Sequence, residues 1–307
     1  MSDVGFHQHA SATLIVEDAQ PKWWTMIGKL FKLRIVSLLL FAAMGGAFLG
    51  AAGKPSGTEL LLLLATGGLS AAGASALNQY IERESDKNMK RTHQRPLANG
   101  TIKHSEIVLV IALLMIAVPI ILVAPFNFPL AFFLGLGAFI YVVIYTIWLK
   151  PRTILNIVIG GAAGSCAVLS GGAAVGAWSE VGVLALAAIV FLWTPTHFWA
   201  LALMVRDDYE RVGTPMLPVL ATARESAWWG LIHAIGVAVV VLALGAVPEL
   251  GWVYFLPALL GTLFFLYQSV RFVQIPERQQ ALKLFLTSNS YLALILFFVC
   301  VGSVVGF

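Results

Sequence analysis

Nine long apolar stretches run through this sequence between residues 33 and 306, separated by polar or turn-forming segments. Each is long enough to cross the hydrocarbon core of a bilayer, which takes about 20 residues of helix. They lie at residues 33–53, 59–82, 105–124, 129–149, 153–176, 181–205, 225–247, 251–271 and 283–306. The pattern predicts nine membrane-spanning helices.

The composition excludes a water-soluble enzyme. Hydrophobic residues make up 59% of the 307 positions and charged residues only 11%, whereas a soluble domain carries about 25% charged residues. The apolar stretches are continuous and do not alternate with period two, which excludes a transmembrane β-barrel. We therefore expect an all-α integral membrane protein.

The basic residues fall almost entirely on one side of this topology. If successive helices alternate in direction, 18 of the 19 Lys and Arg residues share a side with the N-terminus, and only Lys54 lies opposite. Basic loops stay in the cytoplasm, so we expect the N-terminus to be cytoplasmic and the C-terminus outside. The net charge of +4 then reflects topology, and we expect no nucleic-acid partner.

The chain divides into a polar cytoplasmic tail, residues 1–30, and a single nine-helix domain, residues 31–307. Two connections are long and polar, at residues 83–104 and 206–224, while most others are tight turns. Both long loops fall on the predicted cytoplasmic side. Because functional residues concentrate in such loops, we expect the active site there.

An acidic stripe ends the second predicted helix, where Asn78, Glu82 and Asp86 are spaced four residues apart. This spacing places their oxygen-bearing side chains on one helix face. Two carboxylates one turn apart near hydrocarbon repel each other unless a cation lies between them. Mg²⁺ prefers such oxygen ligands and bridges carboxylates to phosphates. A magnesium site is one interpretation, and a charged helix end that simply meets water is the other.

Lys90, Arg91 and Arg95 follow this stripe, where they could neutralise phosphate oxygens or simply obey the orientation rule. The sixth predicted helix also runs into carboxylates, those of Asp207 and Asp208. Two facing acidic helix ends would form a metal clamp around a diphosphate. The pair of acidic ends favours the magnesium interpretation more strongly than either end does alone.

A histidine, His197, lies inside the sixth predicted helix, eleven residues before Asp208. Eleven residues are three turns plus about 20°, so the two side chains share a face if the helix is continuous. A histidine in an apolar span is a hydrogen-bonded core residue, a ligand or a proton-transfer group, and its position leaves these alternatives open. Pro195 could kink the helix and enlarge a cavity there.

The stretch from Asn78 to Leu97 resembles the first signature of the intramembrane aromatic prenyltransferases of the UbiA superfamily. The matching elements are the run Asn-x-x-x-acid-x-x-x-Asp, then Arg91 with Thr92, then Arg95 with Pro96. Nine helices with both acidic loops on the cytoplasmic face also fit that superfamily. The resemblance implies a UbiA-type helical bundle.

The second long loop resembles a narrower branch of the superfamily, the protohaem IX farnesyltransferases, in residues 196–203, 206–209 and 215–218. The resemblance implies transfer of farnesyl from farnesyl diphosphate to a vinyl group of haem B, which gives haem O and diphosphate for terminal oxidases. It also implies Mg²⁺ as the cofactor that assists ionisation of the allylic diphosphate, with haem B as a substrate.

The same resemblance assigns roles to individual residues. It places in catalysis Asn78, Glu82, Asp86, His197 and Asp208, and in metal binding Glu82, Asp86, Asp207 and Asp208. It places in substrate binding Lys90, Arg91, Arg95, Arg206, Tyr209 and Arg34.

Two positions depart from the family pattern. Glu82 stands where the family often has Asp, which preserves the metal chemistry with a longer reach. Leu33 follows Lys32 where the family usually has Pro in a Lys-Pro-Arg run. The second departure leaves only the angle at which the first spanning helix begins in doubt.

Two other functions fit parts of the pattern: a UbiA-type enzyme with a quinone or other aromatic acceptor, and a secondary transporter. The acids lie at helix ends beside basic residues, which disfavours a transporter. The expected partners are farnesyl diphosphate, haem B and the lipid bilayer, with haem A synthase or terminal-oxidase assembly factors receiving the product. The expected location is a bacterial-type inner membrane with the active-site loops facing the cytoplasm.

Overall fold

The computed structural model describes residues 23–306, which are mostly helical and contain no strand. Nine segments of this range are long and apolar enough to cross a membrane, so the predicted nine-span, all-α fold is confirmed. The part of the predicted tail that precedes residue 23 lies outside the described range, as does Phe307.

The described residues form thirteen α-helices, numbered in chain order: α1 Trp23–Leu30, α2 Leu33–Gly50, α3 Gly57–Lys87, α4 Ser105–Val123, α5 Phe128–Phe139, α6 Asn156–Gly160, α7 Ala162–Ala174, α8 Val181–Met204, α9 Arg206–Arg211, α10 Leu217–Leu220, α11 Ala223–Leu244, α12 Gly251–Gln274 and α13 Arg278–Val305. A π-helical segment, Ile140–Leu149, continues α5, and a 3₁₀ turn, Pro248–Leu250, precedes α12. The spans are α2, α3, α4, α5 with its π-helical continuation, α6 with α7, α8, α11, α12 and α13.

Contacts between spans link α3 to α4, α2 to α7, α8 to both α11 and α13, and α12 to α13. The backbones of α2 and α7 approach very closely. A Cβ atom on Gly171 would overlap the carbonyl oxygen of Ala43, and one on Gly46 would overlap that of Val168. Small residues allow such contacts between membrane helices, where dispersion forces rather than the hydrophobic effect hold the helices together.

The helices extend beyond several boundaries read from hydropathy. α3 continues to Lys87, α13 begins at Arg278, and the last eight residues of the predicted tail, Trp23–Leu30, form α1. The second long loop contains α9 and α10. Hydropathy marks where a chain leaves hydrocarbon, whereas backbone hydrogen bonds continue a helix into water whatever the polarity of its side chains.

Candidate active site

The two long connections contact each other at one end of the bundle. The backbone N–H of Arg91 donates to Asp208 Oδ2 at 3.0 Å, and the Arg91 guanidinium donates to Tyr209 Oη at 3.2 Å. Arg211 of α9 donates to the carbonyl oxygen of Asn88 at 3.2 Å. These bonds hold α9 against the loop that follows α3, so the two acidic helix ends lie together.

Glu82 and Asp86 lie one turn apart on α3 and share a guanidinium. Arg95 Nη1 lies 2.6 Å from Asp86 Oδ2 and 3.7 Å from Glu82 Oε2, and Lys150 Nζ donates to Glu82 Oε1. The side chain of Glu82 is 10% exposed and that of Asp86 is 3% exposed. A cation therefore lies between the two carboxylates, as their spacing near hydrocarbon requires.

Asn78, two turns before Asp86 on the same face of α3, has a partner on each side. Its Oδ1 accepts from Lys32 Nζ at 2.6 Å, and its Nδ2 donates to Thr146 Oγ1 at 3.0 Å. Lys32 Nζ also donates to Tyr141 Oη at 3.0 Å. Burial, reinforced by nearby positive charge, lowers the pKa of Lys32 to about 7. An anion bound beside Lys32 would therefore favour its charged form.

Asp208 of α9 is buried among donors. It accepts the Arg91 N–H and, at 3.0 Å, the Arg211 guanidinium. Burial opposes ionisation, but backbone N–H groups of Arg91 and Lys90, together with Arg211, hold the pKa of the Asp208 carboxyl below its usual range. Asp208 is therefore a carboxylate at neutral pH.

Tyrosine rings support three of the cations. The distances from cation to ring centroid are 5.7 Å for Lys32 over Tyr141, 5.8 Å for Lys150 over Tyr145 and 5.7 Å for Arg91 over Tyr209. Tyr141 and Tyr145 stack at 5.9 Å, and both lie in the π-helical segment. Each of these three cations therefore lies over a tyrosine ring, and cation–π attraction stabilises its positive charge.

His197 lies inside α8 between two aromatic rings, 4.3 Å from the centroid of Trp193 and 4.6 Å from that of Phe285. Its Nδ1 lies 2.8 Å from Ser288 Oγ, and the Ser288 hydroxyl donates to the Phe285 carbonyl at 2.8 Å. Because the serine proton is used in that bond, Ser288 Oγ accepts from His197. We therefore assign the ring proton to Nδ1, which leaves a lone pair on Nε2.

The helix that carries His197 does not continue to Asp208. α8 runs through Pro195 without interruption, ends at Met204, and is followed by Val205 with φ −118° and ψ 31° before α9 begins. The prediction that His197 and Asp208 share a helix face requires a continuous helix, and the helix is interrupted between them.

Four of the predicted site residues have exposed side chains outside this network of buried charges: Lys90, Asp207, Arg206 and Arg34. The Arg206 guanidinium lies 3.4 Å from a backbone carbonyl of its own loop. In the segment that contains both residues, Lys32 contacts α3 through Asn78, whereas the Arg34 side chain is exposed. The functional roles of these four residues stay predictions.

Sequence reasoning missed six members of the network: Lys32, Lys150, Arg211, Tyr141, Tyr145 and Thr146. The two lysines were counted only as markers of orientation, although both lie at span ends on the same predicted side as the acids. That shared side was the available signal. The packing of distant helices determines which lysine pairs with which acid. The sequence pattern does not predict that pairing.

The carboxylates of the site could bind a divalent cation together with the phosphate oxygens of a substrate. Among residues 23–306, no cluster of three or more His, Cys, Asp or Glu side chains could hold a metal unaided. Mg²⁺ does not require one, since it is commonly bound by one or two carboxylates together with waters and substrate phosphates. Glu82, Asp86 and Asp208 supply such carboxylates, and a guanidinium already lies between two of them.

Residues 38–301 match the UbiA prenyltransferase family. The chain belongs to the UbiA prenyltransferase family. One of its UbiA relatives is a protein named protoheme IX farnesyltransferase from Metallosphaera sedula, which is 40% identical over 270 residues. The matched region covers 87% of this chain and 92% of the relative.

Two solved UbiA-type structures share the fold. A digeranylgeranylglyceryl phosphate synthase superposes with a TM-score of 0.77 at 15% identity, covering 92% of this chain and 98% of that chain. A UbiA homologue from Archaeoglobus fulgidus, bound to DMAPP and Mg²⁺, superposes with a TM-score of 0.63 at 12% identity, covering 89% and 99%. The nine-span bundle is therefore a UbiA-type fold.

Proposed function

We propose that this protein transfers the farnesyl group of farnesyl diphosphate to a vinyl group of haem B, giving haem O and diphosphate. The observation that carries the proposal is the convergence of three carboxylates with four cations at one end of an apolar bundle. The cations are Lys32, Arg91, Arg95 and Lys150. The acceptor is inferred from the name of the Metallosphaera sedula relative.

The reaction breaks the bond between C1 of the farnesyl group and the diphosphate oxygen, and the electron pair leaves with the diphosphate. Lys32, Arg91 and Arg95 stabilise the negative charge that develops there. Farnesyl C1 then bonds to a vinyl carbon of haem B, and water adds to the other vinyl carbon and releases a proton. The apolar helices exclude bulk water from the allylic cation until this bond forms.

Glu82, Asp86 and Asp208 are the residues that would hold Mg²⁺, with Asp207 as an exposed neighbour that the sequence also predicts. When bound, Mg²⁺ would supply Lewis-acid stabilisation of the leaving diphosphate. The Archaeoglobus fulgidus homologue was solved with this ion. Arg95, which lies between Glu82 and Asp86, would then be released to the diphosphate oxygens.

His197 is assigned to the haem side of the reaction. Its ring is fixed by Trp193, Phe285 and Ser288, and its Nε2 lone pair is oriented by those contacts. That nitrogen can accept a proton from the added water or contact haem iron.

The enzyme is proposed to work in a bacterial-type inner membrane, with the diphosphate site on the cytoplasmic face. The support is the basic residues that lie on the same side as the acids. Farnesyl chain and porphyrin are apolar and can enter from the bilayer, while the diphosphate stays at the surface. Haem A synthase or oxidase assembly factors are proposed to receive the product.

The deciding experiment incubates the purified protein in nanodiscs with haem B, farnesyl diphosphate and Mg²⁺, and identifies products by mass spectrometry. We expect haem O, and we expect EDTA to abolish its formation and added Mg²⁺ to restore it. Prenylation of a hydroxybenzoate or naphthoate acceptor without any haem O would overturn the haem assignment and favour the quinone alternative.

A further inference from the structure

The side chain of Gln79 ties the end of α1 to α3. Gln79 is 1% exposed, and its Nε2 donates to the carbonyl oxygens of Lys29 at 2.7 Å and Leu30 at 2.8 Å. These carbonyls lie in the last turn of α1, where a helix has no backbone partners of its own to offer them. One buried amide therefore anchors the C-terminal end of an eight-residue helix.

The chain just after this anchor adopts an unusual conformation. Lys32 has φ 49° and ψ 48°, in the left-handed region that residues with a Cβ atom rarely occupy. Such a conformation persists only where surrounding contacts hold it. From this backbone, Lys32 Nζ reaches Asn78 Oδ1 at 2.6 Å and Tyr141 Oη at 3.0 Å.

Two consecutive residues of α3 thus hold the α1–α2 joint, residues 29–33, from both ends. Asn78 binds the Lys32 ammonium, while Gln79 binds the backbone two and three residues earlier. If the backbone anchor were lost, the end of α1 could move, and Lys32 could leave its left-handed conformation. The ammonium would then lose its fixed place beside Asn78.

We propose that Gln79 is a positioning residue that places the Lys32 ammonium at the diphosphate site by anchoring the α1–α2 joint. The inference rests on the proposed function, in which Lys32 binds the diphosphate. Gln79 itself contacts the α1 backbone and is not assigned to the substrate.

The test measures binding of inorganic diphosphate with Mg²⁺ to the full-length protein in nanodiscs by calorimetry. Gln79→Met keeps the length of the side chain but removes both donors. We expect it to raise the Kd for diphosphate and the KM for farnesyl diphosphate roughly tenfold, with the KM for haem B unchanged. Gln79→Leu, which also lacks the donors and adds no charge, is the second variant and should behave alike.

Asn127→Leu is the matched control. Asn127 Nδ2 donates to the Ala173 carbonyl at 2.8 Å, so it is another amide that ties two spans together, but at the α4–α5 connection. We expect this variant to lower thermal stability without changing the Kd for diphosphate. A merely structural role for Gln79 would give the same result as this control.

A double-mutant cycle tests whether Gln79 acts through Lys32. In a Lys32→Met background, Gln79→Met should change the Kd for diphosphate by less than about twofold. The inference is overturned if the wild type binds diphosphate and Gln79→Met binds it equally well, or if the two substitutions have fully additive effects. Wild-type protein that binds diphosphate but makes no haem O would overturn only the proposed acceptor, and wild-type protein that binds no diphosphate would overturn both.

Discussion

At the residue scale, the buried carboxylates of the candidate site on α3 are paired with cations from outside that helix. Arg95 lies between Glu82 and Asp86, and Lys150 contacts Glu82. A buried carboxylate without such a partner would be strongly destabilising. In the proposed reaction, Glu82 and Asp86 would hold Mg²⁺, and Arg95 and Lys150 would then be free to pair with phosphate oxygens.

The α3 carboxylates should be required for turnover. We expect Asp86→Asn and Glu82→Gln to lower kcat/KM for farnesyl diphosphate by about 100-fold, because the neutral side chains no longer hold a divalent cation. The matched control is Glu84→Gln on the same helix. Glu84 has a 69% exposed side chain and pairs with Arg83 and Lys87 of its own helix. Full haem O formation by Asp86→Asn would refute the metal role.

Lys150 should matter for stability as well as for activity. Lys150→Met removes the nearest cation from the buried Glu82 carboxylate and leaves Arg95 at 3.7 Å. We expect the free energy of unfolding to fall by about 3 kcal/mol, measured as denaturation in mixed micelles. Adding Glu82→Gln to this variant should restore most of the stability and none of the activity. If the double variant is as unstable as Lys150→Met alone, the two side chains do not act as a pair.

At the element scale, two short irregular segments influence where the side chains of the long helices lie. The π-helical segment after α5 stacks Tyr141 on Tyr145, and the break at Val205 separates α8 from α9. The break lets α9 turn Asp208 toward the loop that follows α3 while His197 stays inside the bundle. The π-helical segment leaves no mark in hydropathy, because it is as apolar as α5, whereas the break at Val205 falls where the apolar stretch 181–205 ends.

Substitution of glycine by a larger residue should be destabilising where α2 and α7 are in close contact. A Cβ atom on Gly171 would overlap the Ala43 carbonyl oxygen, and backbone cannot move aside as a flexible side chain can. We expect Gly171→Val to lower the free energy of unfolding by about 3 kcal/mol and to reduce the yield of folded protein. Gly57→Ala is the control, since no atom lies within 4 Å of an added Cβ there. Equal stability of both variants would show that the two backbones can separate.

At the scale of the whole molecule, the bundle divides the reaction between two environments. Charged side chains gather at one end, near the two long loops, and the spans that hold them are apolar. A substrate with a diphosphate head and a hydrocarbon chain matches this division. The basic residues predict which side of the membrane the charged end faces.

Cysteine labelling can test that orientation. Lys103→Cys lies in the loop after α3, and Thr58→Cys lies at the opposite end of that helix, both at exposed positions. We expect a membrane-impermeant maleimide added to intact cells with a permeable outer membrane to label Thr58→Cys only. In inverted membrane vesicles, Lys103→Cys should be labelled instead. The reverse pattern would place the diphosphate site outside the cytoplasm.

Several residues of the candidate site could be predicted from the sequence, but the pairing of its cations with its carboxylates could not. The stripe Asn78, Glu82 and Asp86 follows from helical spacing alone, and the structure places all three in one network of charges. Lys32 and Lys150 escaped notice as site residues because a basic residue at a span end is also what topology predicts. Arg34 was chosen by resemblance, whereas the left-handed turn at Lys32 brings that residue to α3 instead.

The sequence by itself determined the nine spans and the gathering of acids and bases on one side, because hydropathy and charge placement are local properties of a chain. Tertiary structure decided which cation meets which carboxylate. The bonds concerned, Lys32 to Asn78, Lys150 to Glu82 and Arg91 to Asp208, join residues 46, 68 and 117 positions apart. Packing between distant helices, the left-handed turn at Lys32 and the break at Val205 bring these residues together, and no periodicity along the chain predicts that.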